Sequence, residues 1–161
     1  AKLGGVYVQS TINGIEARER GYDEAIFLNL EGRIAEGPGE NICIIKDGVL
    51  QANSKSESIL EGITRTSLLE IAPDLGLKTL VAPITKEDLF NADEAFFCGT
   101  AAEISPMTKV ADMSENQENP PLYTIGTGKP GILTLKLAEA YKEVTTGKNP
   151  KYEKWLAFVN E

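Results

Sequence analysis

Short apolar runs that stop at glycine or charged turns, alternating with stretches of helical periodicity, restrict this chain's fold more than any other feature. The run Asn41 to Ile45 meets the turn Lys46-Asp-Gly48 and returns as Val49 to Ala52, the pattern of two strands joined tightly. Upstream, Val8, Ile12 and Ile15 recur at helical spacing between Val6 and about Arg20. The charged run Glu16 to Arg20 gives that helix a solvated face, and Gly21 is placed to end it. Glu24 to Leu30 predicts a strand that turns at Glu31-Gly32 and returns over Arg33 to Glu36. Leu60 to Thr64 opens an amphipathic helix carrying Leu68, Leu69 and Ile71, which closes near Gly76. Leu80 to Ile84 reads as a strand, Thr85 caps a helical turn over Lys86 to Asn91, and Asp93 to Cys98 reads as a buried strand. The polar stretch Ser114 to Pro121 is the expected exposed loop, with helices following at Ile132 to Val144 and Tyr152 to Val159. One domain over residues 1–161, mixed α+β in class, is the expectation.

Composition narrows the function classes. Asp and Glu outnumber Lys and Arg by 24 to 16, a balance that repels a phosphate backbone and argues against nucleic acid or an anionic membrane surface as the main partner. No apolar run approaches the length of about 20 residues needed to cross a bilayer. A small molecule is the expected partner. The two cysteines, Cys43 and Cys98, both sit in apolar runs without metal-ligand spacing and read as reduced core thiols of a cytoplasmic protein. Histidine is absent, which removes nucleophile arrangements that need imidazole and zinc sites built on it. No metal is expected. The chain begins at Ala1 with its apolar pattern already running, so it reads as a fragment.

Two turns are suited to an anion. A glycine beside a helix start leaves unpaired N–H groups at the positive end of the helix dipole, and Gly62-Ile63-Thr64 fits that description with a hydroxyl on Thr64 in addition. The same residues also fit an ordinary N-cap turn. Gly99-Thr100 follows directly on the strand expected at Asp93 to Cys98, and it serves equally as a strand-ending turn. Glu36 stands between an apolar strand and a glycine loop, where its carboxylate either points to solvent or faces a cationic ligand atom. On pattern alone, Lys2 is a solvated residue near a chain end and Tyr7 is a helix residue packed by its ring.

Five stretches together carry a resemblance. They are Ala1-Lys-Leu-Gly-Gly-Val-Tyr7, Gly21-Tyr-Asp-Glu-Ala25, Ala35-Glu-Gly-Pro-Gly-Glu-Asn41, Leu60-Glu-Gly-Ile-Thr-Arg65 and Gly99-Thr-Ala-Ala-Glu-Ile-Ser-Pro106. Through them the whole chain resembles the C-terminal part of branched-chain amino acid aminotransferases, the fold-type IV pyridoxal-phosphate enzymes. The last stretch is the most discriminating, because D-amino acid aminotransferases and aminodeoxychorismate lyases usually differ there. Those two activities remain the alternatives within the enzymes, and a non-catalytic small-molecule binding module is the alternative outside them.

The resemblance implies a mixed fold, that of the family's larger pseudo-barrel domain, with the smaller N-terminal domain absent. It implies that Lys2 forms the Schiff base with pyridoxal 5′-phosphate and moves the proton between substrate Cα and the cofactor. Glu36 would bind the pyridine nitrogen and Tyr7 the ring's phenolic oxygen. Gly62, Ile63 and Thr64, with the Thr100 hydroxyl, would hold the phosphate, and backbone N–H groups of Thr100 and Ala101 would meet the substrate carboxylate. The implied reaction is amino transfer between leucine, isoleucine or valine and 2-oxoglutarate, in an intact protein that is a homodimer. The fragment by itself is expected to have little or no activity. Val6, where many relatives have Asn, the lack of prolines over Ser54 to Ser58, and a long loop at Met113 to Thr127 depart from the family pattern. None of these departures touches an implied contact.

Overall fold

The computed structural model describes Gly5 and residues 7–157. At its centre, strand β1 (Asn41–Lys46) has five consecutive buried residues, so both of its faces are covered. β1 pairs antiparallel with β2 (Val49–Ala52) across the Asp47-Gly48 turn, where both residues adopt positive φ, and with β4 (Glu94–Gly99) on its other side. β3 (Lys78–Val81) pairs parallel with β2, and β5 (Glu103–Met107) pairs antiparallel with β4. The sheet order is therefore β3-β2-β1-β4-β5. A parallel neighbour needs a crossover, and here α2 (Ile63–Ile71) and a 3-10 turn (Ala72–Leu75) supply it before Gly76 reverses the chain in the left-handed region.

Alternation along β1 divides the core into two. Cys43 and Ile45 face Leu50, Ala52, Phe96 and Cys98 together with Leu68 of α2 and Leu137 of α4 (Ile132–Thr145). Ile42 and Ile44 face the other way, against Ile34, Ile84, Leu89, Met107 and Ile125. Each Ile or Leu removed fully from water in these clusters contributes about 1.5–3 kcal/mol. The first face is covered by helices. The second is covered by loops, by the short helix α3 (Lys86–Phe90) with its Thr85–Asp88 capping box, and by the two-stranded sheet of β6 (Lys109–Ala111) and β7 (Leu122–Thr124). The Cys43 and Cys98 thiols are free and buried, with their sulfurs 3.8 Å apart.

The mixed α+β class expected from the sequence is what the structure has. Three elements differ in detail. The segments expected to pair as Glu24–Leu30 and Arg33–Glu36 do return on each other, through hydrogen bonds from Phe27 N to Glu36 O and from Ala35 N to Phe27 O. They form only isolated bridges, because Ile34 is shared with Ile84 and the Asn29 side chain takes the N–H groups of Glu31 and Arg33 into a turn. The strand expected at Leu80 to Ile84 lies earlier, over Lys78–Val81. Pro83 has no N–H to continue the ladder, and the N–H of Ile84 goes to Asn53 Oδ1 instead. The last expected helix is a 3-10 stretch over Pro150–Trp155, and Phe158 and Val159 lie outside the described residues. The stretch Ser114 to Pro121 is an exposed loop as expected.

Helix α1 (Tyr7–Glu19) forms where the periodicity places it, and Gly21 (φ 86°) follows its end. Its apolar stripe nevertheless stays open, with Val8, Ile12 and Ile15 exposed by 59%, 53% and 48%. Gly14 is its only buried residue, approached by the Arg18 and Glu24 side chains and by Pro38. Among the described residues no helix is long and apolar enough to cross a membrane.

Candidate active site

Four chain segments meet around a cavity of about 360 Å³: the start of α1, the loop from Glu36 to Asn41, the turn leading into α2, and the end of β4. Glycines allow the approach. A Cβ on Gly37 would stand 2.9 Å from the Phe97 ring, and one on Gly99 would stand 3.3 Å from the carbonyl oxygen of Gly39. The loop between them is closed by a hydrogen bond from Gly37 N to Glu40 O (2.8 Å).

Glu36 is half-buried at one side of the cavity. Its Oε2 accepts hydrogen bonds from the backbone N–H of Leu60 (3.0 Å) and from Asn41 Nδ2 (3.3 Å), donors that a partly buried carboxylate requires. The carboxylate is thus held by protein donors rather than left wholly to solvent. Gly62 is the N-cap of α2, in extended conformation and with no side-chain cap, and no acidic residue occupies the first turn of the helix. The opening of α2 thus brings the positive end of a helix dipole to the cavity, with the N–H of Gly62 itself taken by Asn41 Oδ1.

Ile63 and Thr64 both line this space, but Thr64 is buried and its hydroxyl is hydrogen-bonded to Tyr141 of α4 (3.2 Å). The bond to Tyr141 thereby orients the Thr64 hydroxyl. Thr100, exposed at the end of β4, also lines the cavity, so both glycine-threonine turns face one space. Ala101 is exposed and is not part of the lining. Tyr7 lines the cavity from the first turn of α1, a solvent-accessible position rather than a core one. Lys2 lies outside the described residues. Asn41, which is not distinguished by pattern, proves central, since its side chain touches both Glu36 and the Gly62 turn. The available signal was a polar residue opening an otherwise apolar run.

The cavity has two electrostatic ends, a carboxylate end at Glu36 and a dipole end at α2. Such a site can grip a molecule that is cationic or proton-donating at one end and anionic at the other.

The family model for amino-transferase class IV matches residues 1–110. The chain belongs to the class IV aminotransferases. A probable branched-chain-amino-acid aminotransferase of Aquifex aeolicus is 42% identical over 98% of this chain and 48% of its own length. The branched-chain-amino-acid aminotransferase of Escherichia coli K12 is 38% identical over 100% of this chain and 49% of its own. Among solved structures, the branched-chain aminotransferase of the thermophilic archaeon Thermoproteus uzoniensis, crystallised with norvaline, superposes with a TM-score of 0.85 and 46% identity, over 98% of this chain and 48% of the other. This class IV chain thus spans about half the length of the curated relatives it matches.

Proposed function

We propose that this chain is the cofactor-binding domain of a pyridoxal 5′-phosphate-dependent aminotransferase acting on branched-chain L-amino acids with 2-oxoglutarate. The observation that carries the reading is the convergence of Tyr7, Glu36, the Gly62 to Thr64 turn and Thr100 on one cavity with a carboxylate end and a helix-dipole end. The names of the similar proteins support the substrate class.

The residues present fit the cofactor. The uncapped start of α2 at Gly62, together with the backbone N–H groups of Ile63 and Thr64 and the hydroxyl of Thr100, suits a phosphate dianion. Glu36 is the group assigned to the pyridine nitrogen, where its carboxylate would hold a proton in place. Tyr7 is assigned to the phenolic oxygen, and the backbone of Thr100 and Ala101 to the substrate carboxylate. When bound, the cofactor supplies an electron sink for the charge left as the substrate Cα loses its proton. Lys2 is the base assigned to take that proton. A lysine amine shielded from water beside other cationic groups loses its proton more readily than a solvated one, which makes it competent near neutral pH.

The relatives are about twice as long as this stretch of sequence. That length leaves room for a further domain, and the family resemblance supplies the rest of the reading: a smaller N-terminal domain that contributes another arginine for the phosphate and closes one side of the cavity against water, in an intact protein that is a homodimer. The buried free thiols fit a reducing, cytoplasmic setting.

Titration with pyridoxal 5′-phosphate followed by borohydride reduction tests the assignment. A covalent label on Lys2, with amino transfer from leucine to 2-oxoglutarate by the intact protein, is the expected result. Reversible binding without a label would leave a non-catalytic binding module. Transfer from D-amino acids in place of leucine would move the chain to a sister specificity.

A further inference from the structure

We propose that Asn41 is a positioning residue: it holds the Glu36 carboxylate and the first turn of α2 at a fixed separation, so that both ends of one cofactor are gripped together. The inference rests on the reading of Glu36 and the Gly62 turn as cofactor contacts.

Asn41 is 6% exposed, and both polar atoms of its amide are engaged. Nδ2 donates to the Leu60 carbonyl (2.7 Å) and to Glu36 Oε2 (3.3 Å), while Oδ1 accepts from the N–H of Gly62 (3.1 Å). The backbone of Asn41 adds two further ties. It bridges to Glu36 on one side and pairs with Cys98 on the other, immediately before Gly99 and Thr100. One residue therefore connects three of the four segments that line the cavity.

The Gly62 contact is tight. A Cβ added at position 62 would stand 2.4 Å from Asn41 Oδ1, far inside van der Waals contact, so a side chain there would push the Asn41 amide out of its place. A buried amide must find partners somewhere, and Asn53 shows what that need alone looks like. Asn53 is 1% exposed and bonds Ile34, Ala35 and Ile84, none of which lines the cavity. Asn41 differs in that Glu36, Leu60 and Gly62 all line it.

The test compares Asn41→Ala, Gly62→Ala and the double variant in the intact protein, with pyridoxal 5′-phosphate as the probe. Asn41→Ala is expected to weaken cofactor binding by about tenfold or more, the scale of a hydrogen bond to a charged group. It should also move the pH at which the bound cofactor's absorption titrates. Gly62→Ala should be comparably harmful alone and far less so in the Asn41→Ala background, where the clash is gone. Without cofactor, hydrogen exchange at the Leu60 and Gly62 amides should quicken in Asn41→Ala while exchange at the Gly48 turn stays the same. If Asn41→Ala does not fold, Asn41→Ser replaces it in the same comparisons.

Additive effects of the two substitutions, with the absorption titration and the local exchange unmoved, would overturn the proposal and leave Asn41 a structural amide. Failure of the unsubstituted protein to bind pyridoxal phosphate would instead overturn the cofactor reading and the role built on it. The exchange measurement would still report the tie between Asn41 and the turn.

Discussion

Helices α1 and α2 both read as amphipathic in the sequence, and both form, yet they end in opposite conditions. α2 buries Thr64, Arg65, Leu68 and Ile71 against the sheet and α4, and it brings the Gly62 turn to the cavity as part of a packed unit. α1 buries Gly14 alone and turns Val8, Ile12 and Ile15 outward. Its far end is tied by polar contacts, with Arg20 donating to the Gln117 carbonyl (3.0 Å) in the exposed loop. Apolar spacing is therefore a statement about a helix having a face, and the burial of that face depends on what lies opposite. The two walls of one cavity differ accordingly: the α2 wall is fixed by the core, and the α1 wall by a few surface bonds.

The comparison is most open to challenge through the core. Leu68→Ala, at a fully buried site, should cost about 2–5 kcal/mol in denaturant unfolding, through lost burial and the cavity left behind. A loss below about 1 kcal/mol would mean that α2 is no better anchored than α1. Chemistry on the α2 side should separate from stability. Glu36→Gln is expected to lower the transamination rate of the intact protein about a hundredfold or more while cofactor binding largely persists. An unchanged rate constant would remove Glu36 from the reaction.

Polar anchoring near the end of α1 gives a smaller, pH-dependent effect. Lys86 holds Asp112 at 2.6 Å, at the base of the loop that Arg20 reaches, and Asp112 also accepts from the Ser114 hydroxyl and N–H. Burial pushes the Asp112 carboxyl up, but the Lys86 bond and the two from Ser114 outweigh it and hold the group below its usual range. A depressed carboxyl contributes stability that is complete above its unfolded value, about pH 4, and is lost as pH falls through the folded one. Lys86→Met should therefore cost about 1.5–3 kcal/mol at neutral pH, with the gap from the unsubstituted protein narrowing below about pH 4. A gap that does not change with pH would show that lost packing, rather than charge, is the cause. The smallest effect is expected at Ile12→Ser, within about 0.5 kcal/mol, because the side chain is already half exposed. A larger loss in the intact protein would show that the stripe packs against a partner.

Legibility followed the range of the interactions. β1, β2, β4, α2 and α3 carry their own signals, a turn at Asp47-Gly48 or a cap at Thr85, and they lie close to where the sequence puts them. β5, β6 and β7 were not expected. Two of them are only three residues long, and β5 contains Pro106 and gains its strand character from pairing with β4. In the site, Glu36, the Gly62 turn and Thr100 were visible because glycine marks close approach, and because the resemblance gave each a role. Asn41 and the Thr64–Tyr141 hydrogen bond were not visible. Each depends on partners brought together by the sheet and by α4, and spacing along the chain does not report such meetings.

The two thiols in the middle of the sheet give the molecule an internal clock. Cys43 is 1% exposed and Cys98 fully buried, on strands that share the core with helices α2 and α4. The hydrogen bond with Cys43, and then burial, push the Cys98 thiol well above its ordinary value, so it forms thiolate reluctantly as well as being out of reach. An alkylating reagent meets these sulfurs only when the central strands separate. Labelling at the two positions therefore reports large-scale opening of the sheet, and counts single openings where the reagent outpaces reclosing, unaffected by fraying of α1 or of the exposed loop.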